Sequence, residues 1–163
     1  MKKLILMRHA KSSWADALVE DHDRVLNARG RAAAEAMGNW LRAQGHLPDE
    51  ALVSDAARTR ETFARLGFDC AAQFRDALYH ASAQEMLNVL QEARGESVLV
   101  LGHNPGIADF AAQLVRDPPE NSRVHDYPTC ATLVATFAIE DWCALRLHTG
   151  KTLDFMIPRD IDS

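Results

Sequence analysis

Three cysteines in 163 residues, Cys70, Cys130 and Cys143, are odd in number and far apart, which leaves no disulfide framework and no CxxC metal or redox motif. A reducing cytoplasm suits such a chain. No apolar run approaches membrane-spanning length, and only four apolar residues lie between Lys2-Lys3 and Arg8, too few for a signal-peptide core. A basic excess is missing as well. The net charge of -5 argues against a nucleic-acid partner, because affinity for a phosphate backbone needs a basic surface. Any anion site must therefore be local. Internal repeats, linkers and low-complexity segments do not stand out, and 47% hydrophobic with 25% charged residues is the balance of a globular protein with a real core. The expectation is one domain over 1–163.

What is present is an alternation of short apolar strands and amphipathic helices. Leu4-Ile5-Leu6-Met7 reads as a strand covered on both faces, and it stops abruptly at Arg8-His9. Ala51-Leu52-Val53-Ser54 and Ser97-Val98-Leu99-Val100-Leu101 have the same buried character. Between them lie three helical patterns: one capped by Asn27 and ended before Gly45, one from Ala56 to Leu66 stopped by Gly67, and one opened by the capping box Ser82-Ala83-Gln84-Glu85 and closed by Gly95. A further helix carries Ile107, Phe110, Ala111 and Leu114. Beyond Pro118-Pro119 the pattern turns to strands at Thr129–Ile139, Trp142–His148 and Leu153–Ile157. The expected fold is α/β, a three-layer sandwich with a mostly parallel central sheet, helices on both faces and antiparallel strands at the C-terminal end.

Ligands bind beyond the carboxyl ends of strands in such sheets, and three of these ends carry chemistry. The first supplies Arg8-His9, the second leads into Ser54-Asp55-Ala56-Ala57-Arg58, and the third leads into Gly102-His103. Arg58 falls in the first turn of its helix, where the macrodipole disfavours a cation and a bound anion would relieve the conflict. Two arginines and two histidines converging on one face suit phosphoryl transfer. A neutral His9 would attack phosphorus, the surrounding cations lowering its pKa. Arg8 and Arg58 would clamp the non-bridging oxygens, and His103 would donate a hydrogen bond to the charge developing there. The scheme needs no metal and no cofactor.

The strand ending in Arg8-His9, the Ser54-x-x-x-Arg58-x-x-Glu61-Thr62 segment and the strand ending in Gly102-His103-Asn104 resemble, in order and spacing, the three signature blocks of the histidine phosphatase superfamily, which includes phosphoglycerate mutases. The compact length, the Arg8-His9-Ala10-Lys11-Ser12 start and the Gly102-His103-Asn104-Pro105-Gly106 loop look most similar to SixA-type protein phosphohistidine phosphatases. The resemblance implies His9 as phosphoacceptor, with Arg8, Arg58 and His103 as the phosphate pocket and Ser12 and Asn104 as secondary contacts. It implies a phosphohistidine-bearing protein or a small phosphate compound as substrate, in a phosphoglycerate mutase-like fold. One departure stands out. Many members carry a carboxylate general acid shortly after the second helix, whereas here Asp76-Ala77-Leu78-Tyr79-His80 places His80 in the comparable position. A labile P–N bond needs less forceful protonation than an ester, so this departure leans toward phosphohistidine hydrolysis; a plain surface histidine is the other reading of His80.

Only fifteen residues, Gly67 to Ala81, separate the second and third helices, so no large cap insertion is expected over the pocket. An open pocket suits a phosphorylated side chain on a folded partner, and equally a promiscuous small-molecule phosphatase; a phosphate-binding module without turnover is the remaining alternative. Asp21-His22-Asp23 invites a metal reading, but its side chains are adjacent and lack further ligand spacing, so a solvated loop is expected there, lining the pocket entrance with Arg24 and Lys11. Trp14, in the loop after His9, is either a lid or a partner contact.

Overall fold

A computed structural model describes residues 1–161. Six strands, β1 (Lys2–Arg8), β2 (Glu50–Ser54), β3 (Ala71–Arg75), β4 (Ser97–Gly102), β5 (Thr132–Phe137) and β6 (Lys151–Met156), form one sheet in the order β3-β2-β4-β1-β5-β6. The β3, β2, β4 and β1 strands run parallel, whereas β5 is antiparallel to both β1 and β6. Four helices, α1 (Ala28–Ala43), α2 (Ala57–Leu66), α3 (Ala83–Leu90) and α4 (Gly106–Leu114), cover the two faces. This is the single α/β domain expected from the alternation.

The layers follow from the two-residue period of the strands. Leu4 and Leu6 of β1 point to the face packed by Met86 and Leu90 of α3 and by Ile107 and Phe110 of α4. Ile5 and Met7 point the other way, toward Met37 and Leu41 of α1 and Leu66 of α2. Each such side chain, withdrawn completely from water, contributes on the order of 1.5–3 kcal/mol. A continuous apolar run is therefore the signature of β1 and β4, and that is why both were readable.

Local chemistry sets the helix ends. Asn27 Oδ1 accepts from the Gly30 amide at 2.8 Å, and the Ser82–Glu85 capping box closes in both directions at 3.1 Å. Gly30 also lets the start of α1 approach the loop after β1, because a Cβ there would collide with the Lys11 carbonyl oxygen. The same approach lets the Asn27 amide donate to the Lys11 carbonyl at 3.0 Å.

Three expected features differ. Residues Trp142–His148 do not form a strand: Trp142–Ala144 is a single 3-10 turn, whose buried Trp142 ring plugs the core against Phe137 and donates its Nε1–H to the Gly95 carbonyl at 2.7 Å. The apolar residues here are core anchors, Trp142 and Leu145, and not a sheet. Helix α3 ends at Leu90, well before Gly95, because the Glu50 carboxylate takes the Arg94 and Gly95 amides at 2.8 and 2.7 Å and holds that segment as a turn. The stretch from Gly67 to Ala81 contains the edge strand β3, whose largely solvent-facing residues carry no buried-strand signal.

Tyr127 ties the antiparallel strand to the parallel set. Its buried hydroxyl donates to the Leu6 carbonyl at 2.5 Å and accepts from the Leu133 amide at 3.0 Å. Tyr127→Phe leaves both backbone groups without this partner, so urea denaturation should show a loss of about 1–3 kcal/mol.

Candidate active site

The carboxyl ends of β1, β2 and β4 open onto a cavity of about 450 Å³ lined by Arg8, His9, Ser12, Arg58 and His103, with Asn104 at its edge. Register does the positioning. Arg8 pairs with Gly102 in the parallel β1–β4 ladder, and the His9 amide donates to the Gly102 carbonyl at 3.0 Å, so each histidine follows directly on a paired residue. Their ring centroids lie 5.3 Å apart.

His9 is almost fully buried. Its Nδ1 lies 2.6 Å from the Ala10 carbonyl oxygen, a contact in which Nδ1–H is the donor and Nε2 is left with its lone pair. The turn that makes this contact is fixed by Thr62, whose Oγ1 accepts from the Ala10 amide at 3.0 Å and donates to the Arg58 carbonyl at 2.7 Å. Burial pushes the His9 imidazole down to about 3, with Arg8, Arg58 and Arg24 adding to the effect and the Ala10 hydrogen bond opposing it. Sequence reasoning credited the cations alone; desolvation outweighs them.

His103 is held from the other side, with Nε2 2.7 Å from Ser54 Oγ at the end of β2. Burial is again the main cause of its lowered pKa, about 2, assisted by His9, Arg58 and His80. Its Nδ1 is buried and meets no partner among the described residues, and the same holds for the Nε groups of Arg8 and Arg58. Donors left unpaired in a concave site are costly unless an acceptor comes to them. Arg8 spends Nη1 on the Tyr127 carbonyl at 3.2 Å, which ties the arginine to the segment leading into β5.

The largest surprise is Asp21. Its carbonyl and Oδ2 accept from Arg58 Nη1 and Nη2 at 2.7 and 3.1 Å, its Oδ2 also accepts from the Tyr79 hydroxyl at 2.5 Å, and its Oδ1 lies 3.3 Å from Arg24 Nη2. The Tyr79 hydroxyl, followed by Arg58 and Arg24, holds its carboxyl down at about 2. The conflict between Arg58 and its helix dipole is thus met first by a carboxylate of the same chain. The loop lines the cavity with Arg24 and Lys11, as its sequence suggests, but Asp21 is held by ion pairs rather than solvated, and no local spacing announces its contact with Tyr79, beyond β3 in the chain. His22 instead turns to Asp55, with Nε2 to Oδ1 at 2.9 Å, and its Nδ1 lies 3.8 Å from Asp23 Oδ1, so neither joins Asp21. Among the described residues no group of three or more His, Cys, Asp or Glu side chains is arranged to hold a metal.

The secondary contacts fare differently. Ser12 is buried and lines the cavity. Asn104 lines it too, but its amide nitrogen donates to the Asp126 and Tyr127 carbonyls at 2.8 and 3.1 Å and its Oδ1 accepts from the Ala108 amide at 3.2 Å, so its polar atoms serve the backbone. His80 stands exposed on the rim, its ring centroid 3.9 Å from that of Tyr79, at a φ of 57° unusual for a residue with a side chain.

The histidine phosphatase superfamily (branch 1) model matches residues 4–82, which hold the first two strand ends. The chain is similar to the uncharacterized protein Rv1276c of Mycobacterium tuberculosis (strain ATCC 25618 / H37Rv), 33% identical across 94% of this chain and 100% of the relative. The uncharacterized protein ML1117 of Mycobacterium leprae is 30% identical over the same shares. Among solved structures, a proposed phosphohistidine phosphatase SixA from Nakamurella multipartitia superposes with a TM-score of 0.85 at 33% identity, covering 96% of each chain. A second proposed SixA, from Agrobacterium tumefaciens, gives 0.78 at 27% identity over 96% of this chain and 99% of the other. The chain belongs to the histidine phosphatase superfamily, and its class is that of a phosphatase.

The electrostatics predict the protonation state of the site directly. In nitrogen-edited NMR, His9 and His103 should stay neutral from pH 8 to pH 5, whereas His22, whose pKa Asp55 raises, gains its proton above the usual range. Unfolded histidines bind protons near pH 6.5 while these two do not, so stability should fall as the pH drops below that value toward about 3.

Proposed function

We propose that this phosphatase is metal-independent, that His9 is its nucleophile, and that its substrate is phosphohistidine on a protein. The observation that carries the reading is the fixing of His9 Nδ1 on the Ala10 carbonyl, which leaves Nε2 as the nucleophilic atom of a buried, neutral ring among Arg8, Arg58 and His103.

In the first step Nε2 of His9 attacks phosphorus, a P–N bond forms to His9 as the bond to the leaving nitrogen breaks, and that nitrogen takes a proton from solvent water at the cavity mouth. Arg8 and Arg58 hold the non-bridging oxygens through the transition state. With the Ser54 hydroxyl donating to Nε2, His103 carries its proton on Nδ1 and offers it to the same oxygens. Water then attacks the phosphohistidine, yielding inorganic phosphate and neutral His9. Guanidiniums and a neutral donor supply the charge stabilisation that a metal ion provides elsewhere.

Three observations support a protein substrate. The proposed SixA proteins share the fold at 33% and 27% identity. The Gly67–Ala81 segment runs along the sheet edge as β3 and a 3-10 turn at Asp76–Leu78. The cavity mouth is bordered by Lys11, Trp14 and His80, all exposed, a rim that a folded partner can reach. No carboxylate stands in the position of the family's usual acid, and a phosphoramidate leaving group tolerates that.

In excess chelator, phosphate release from a phosphohistidine-bearing protein should continue undiminished, with kcat/KM above that for an aryl phosphate. Loss of activity in chelator would overturn metal independence, and the reverse substrate order would assign the site to small phosphate esters. Arg58→Ala should lower kcat/KM by roughly 10- to 100-fold for each charge-assisted hydrogen bond lost.

A further inference from the structure

Beside the catalytic cavity lies a smaller cleft of about 170 Å³ whose charged wall consists of three arginines, Arg29, Arg123 and Arg159. Thr129 lines both, so the two hollows share a wall. The sheet accounts for this placement. Thr132 at the start of β5 pairs with Met7 of β1 and with Met156 at the end of β6, so the segments before β5 and after β6 emerge at the same edge as Arg8-His9. Arg29 joins them from the first turn of α1, a turn without an acidic residue, where the helix dipole disfavours its charge. The chain carries a net charge of -5, yet no acidic residue lines this cleft. Arg123 is half-buried and braced by Asp126, its Nε lying 3.1 and 3.2 Å from the two carboxylate oxygens. Arg29 and Arg159 are exposed and form no salt bridge among the described residues.

We infer that this arginine cleft is a docking subsite for carboxylates of the phosphorylated partner, so that the enzyme selects a phosphohistidine flanked by glutamate or aspartate on the partner's surface. The inference rests on the protein-substrate reading and names the surface chemistry of that substrate. A phosphohistidine that reaches His9 brings its own surrounding surface down over the cavity mouth, and one side of that surface comes to rest on the wall at Thr129 that leads into the cleft. Carboxylates there meet Arg29 and Arg159. Exposed guanidiniums hold a free carboxylate only weakly in water. Their effect is on encounter: a local positive field on an acidic enzyme orients an acidic partner and speeds productive association, and salt screens it. The cleft therefore acts on which protein arrives, whereas the neighbouring cavity acts on the phosphoryl group.

The probe is a small folded protein with one surface histidine, phosphorylated with phosphoramidate and made in two forms, with glutamates or with lysines flanking that histidine. At low ionic strength the wild-type enzyme should show a kcat/KM about 10-fold higher for the glutamate form, and the preference should collapse in about 0.5 M salt. The double variant Arg29→Gln/Arg159→Gln should lose most of the preference through KM. Its kcat and its hydrolysis of an aryl phosphate should stay at the wild-type level, which also establishes that it folds. Arg29→Lys/Arg159→Lys should keep the preference, because exposed charges steer without the geometry of the guanidinium fork. Equal rates on the two forms by the wild-type enzyme at low salt, or a full preference retained by the glutamine variant, would overturn the inference and leave the phosphatase reading standing. Hydrolysis of the aryl phosphate with neither protein form attacked would overturn the protein-substrate reading, and this inference with it.

Discussion

The parallel pairing of β1 with β4 is the constraint on which the site depends. Arg8 lies opposite Gly102 in that ladder, and the His9 amide is bonded to the Gly102 carbonyl, so the two histidines leave the sheet side by side. A slip of one residue would turn Leu4 and Leu6 to the opposite face and separate the rings as well. The core therefore enforces the chemistry: two apolar clusters, one on each face, lock the register that a phosphate site needs. Ser54 at the end of β2 extends the arrangement to a third strand through His103.

Burial then does work that charge alone would not. A histidine beside arginines in water would titrate only somewhat below its usual range, but desolvation takes His9 to about 3 and His103 to about 2. Both rings are neutral at physiological pH, and the positive charge around them is that of the guanidiniums, with Lys11 at the cavity mouth. Those guanidiniums are close together, and Asp21 makes this tolerable by bridging Arg24 and Arg58, with the Tyr79 hydroxyl fixing the carboxylate. Buried nitrogens on Arg8, Arg24, Arg58 and His103 have no partner among the described residues.

Much of this was legible in the sequence, for physical reasons. Strands buried on both faces write continuous apolar runs, so β1, β2 and β4 and the residues at their ends could be placed. Asn27 and the Ser82–Glu85 box marked helix starts through side chains that act only locally. What could not be read depended on contacts between distant segments. The edge strand β3 is largely exposed and has no pattern, and Trp142 mimics a strand while serving as a core plug. Asp21 and Tyr79 meet across 58 positions, a pairing that no local spacing announces. Asn104 shows the converse, a residue whose motif suggested a ligand contact while its amide is spent on the backbone.

The account stands or falls on where phosphate first goes. Rapid quenching of the enzyme with labelled substrate, followed by peptide mass spectrometry under alkaline conditions, should find an acid-labile, base-stable phosphoryl group on His9, absent from His9→Ala. A phosphoryl group on another residue, or full turnover by His9→Ala, would contradict it.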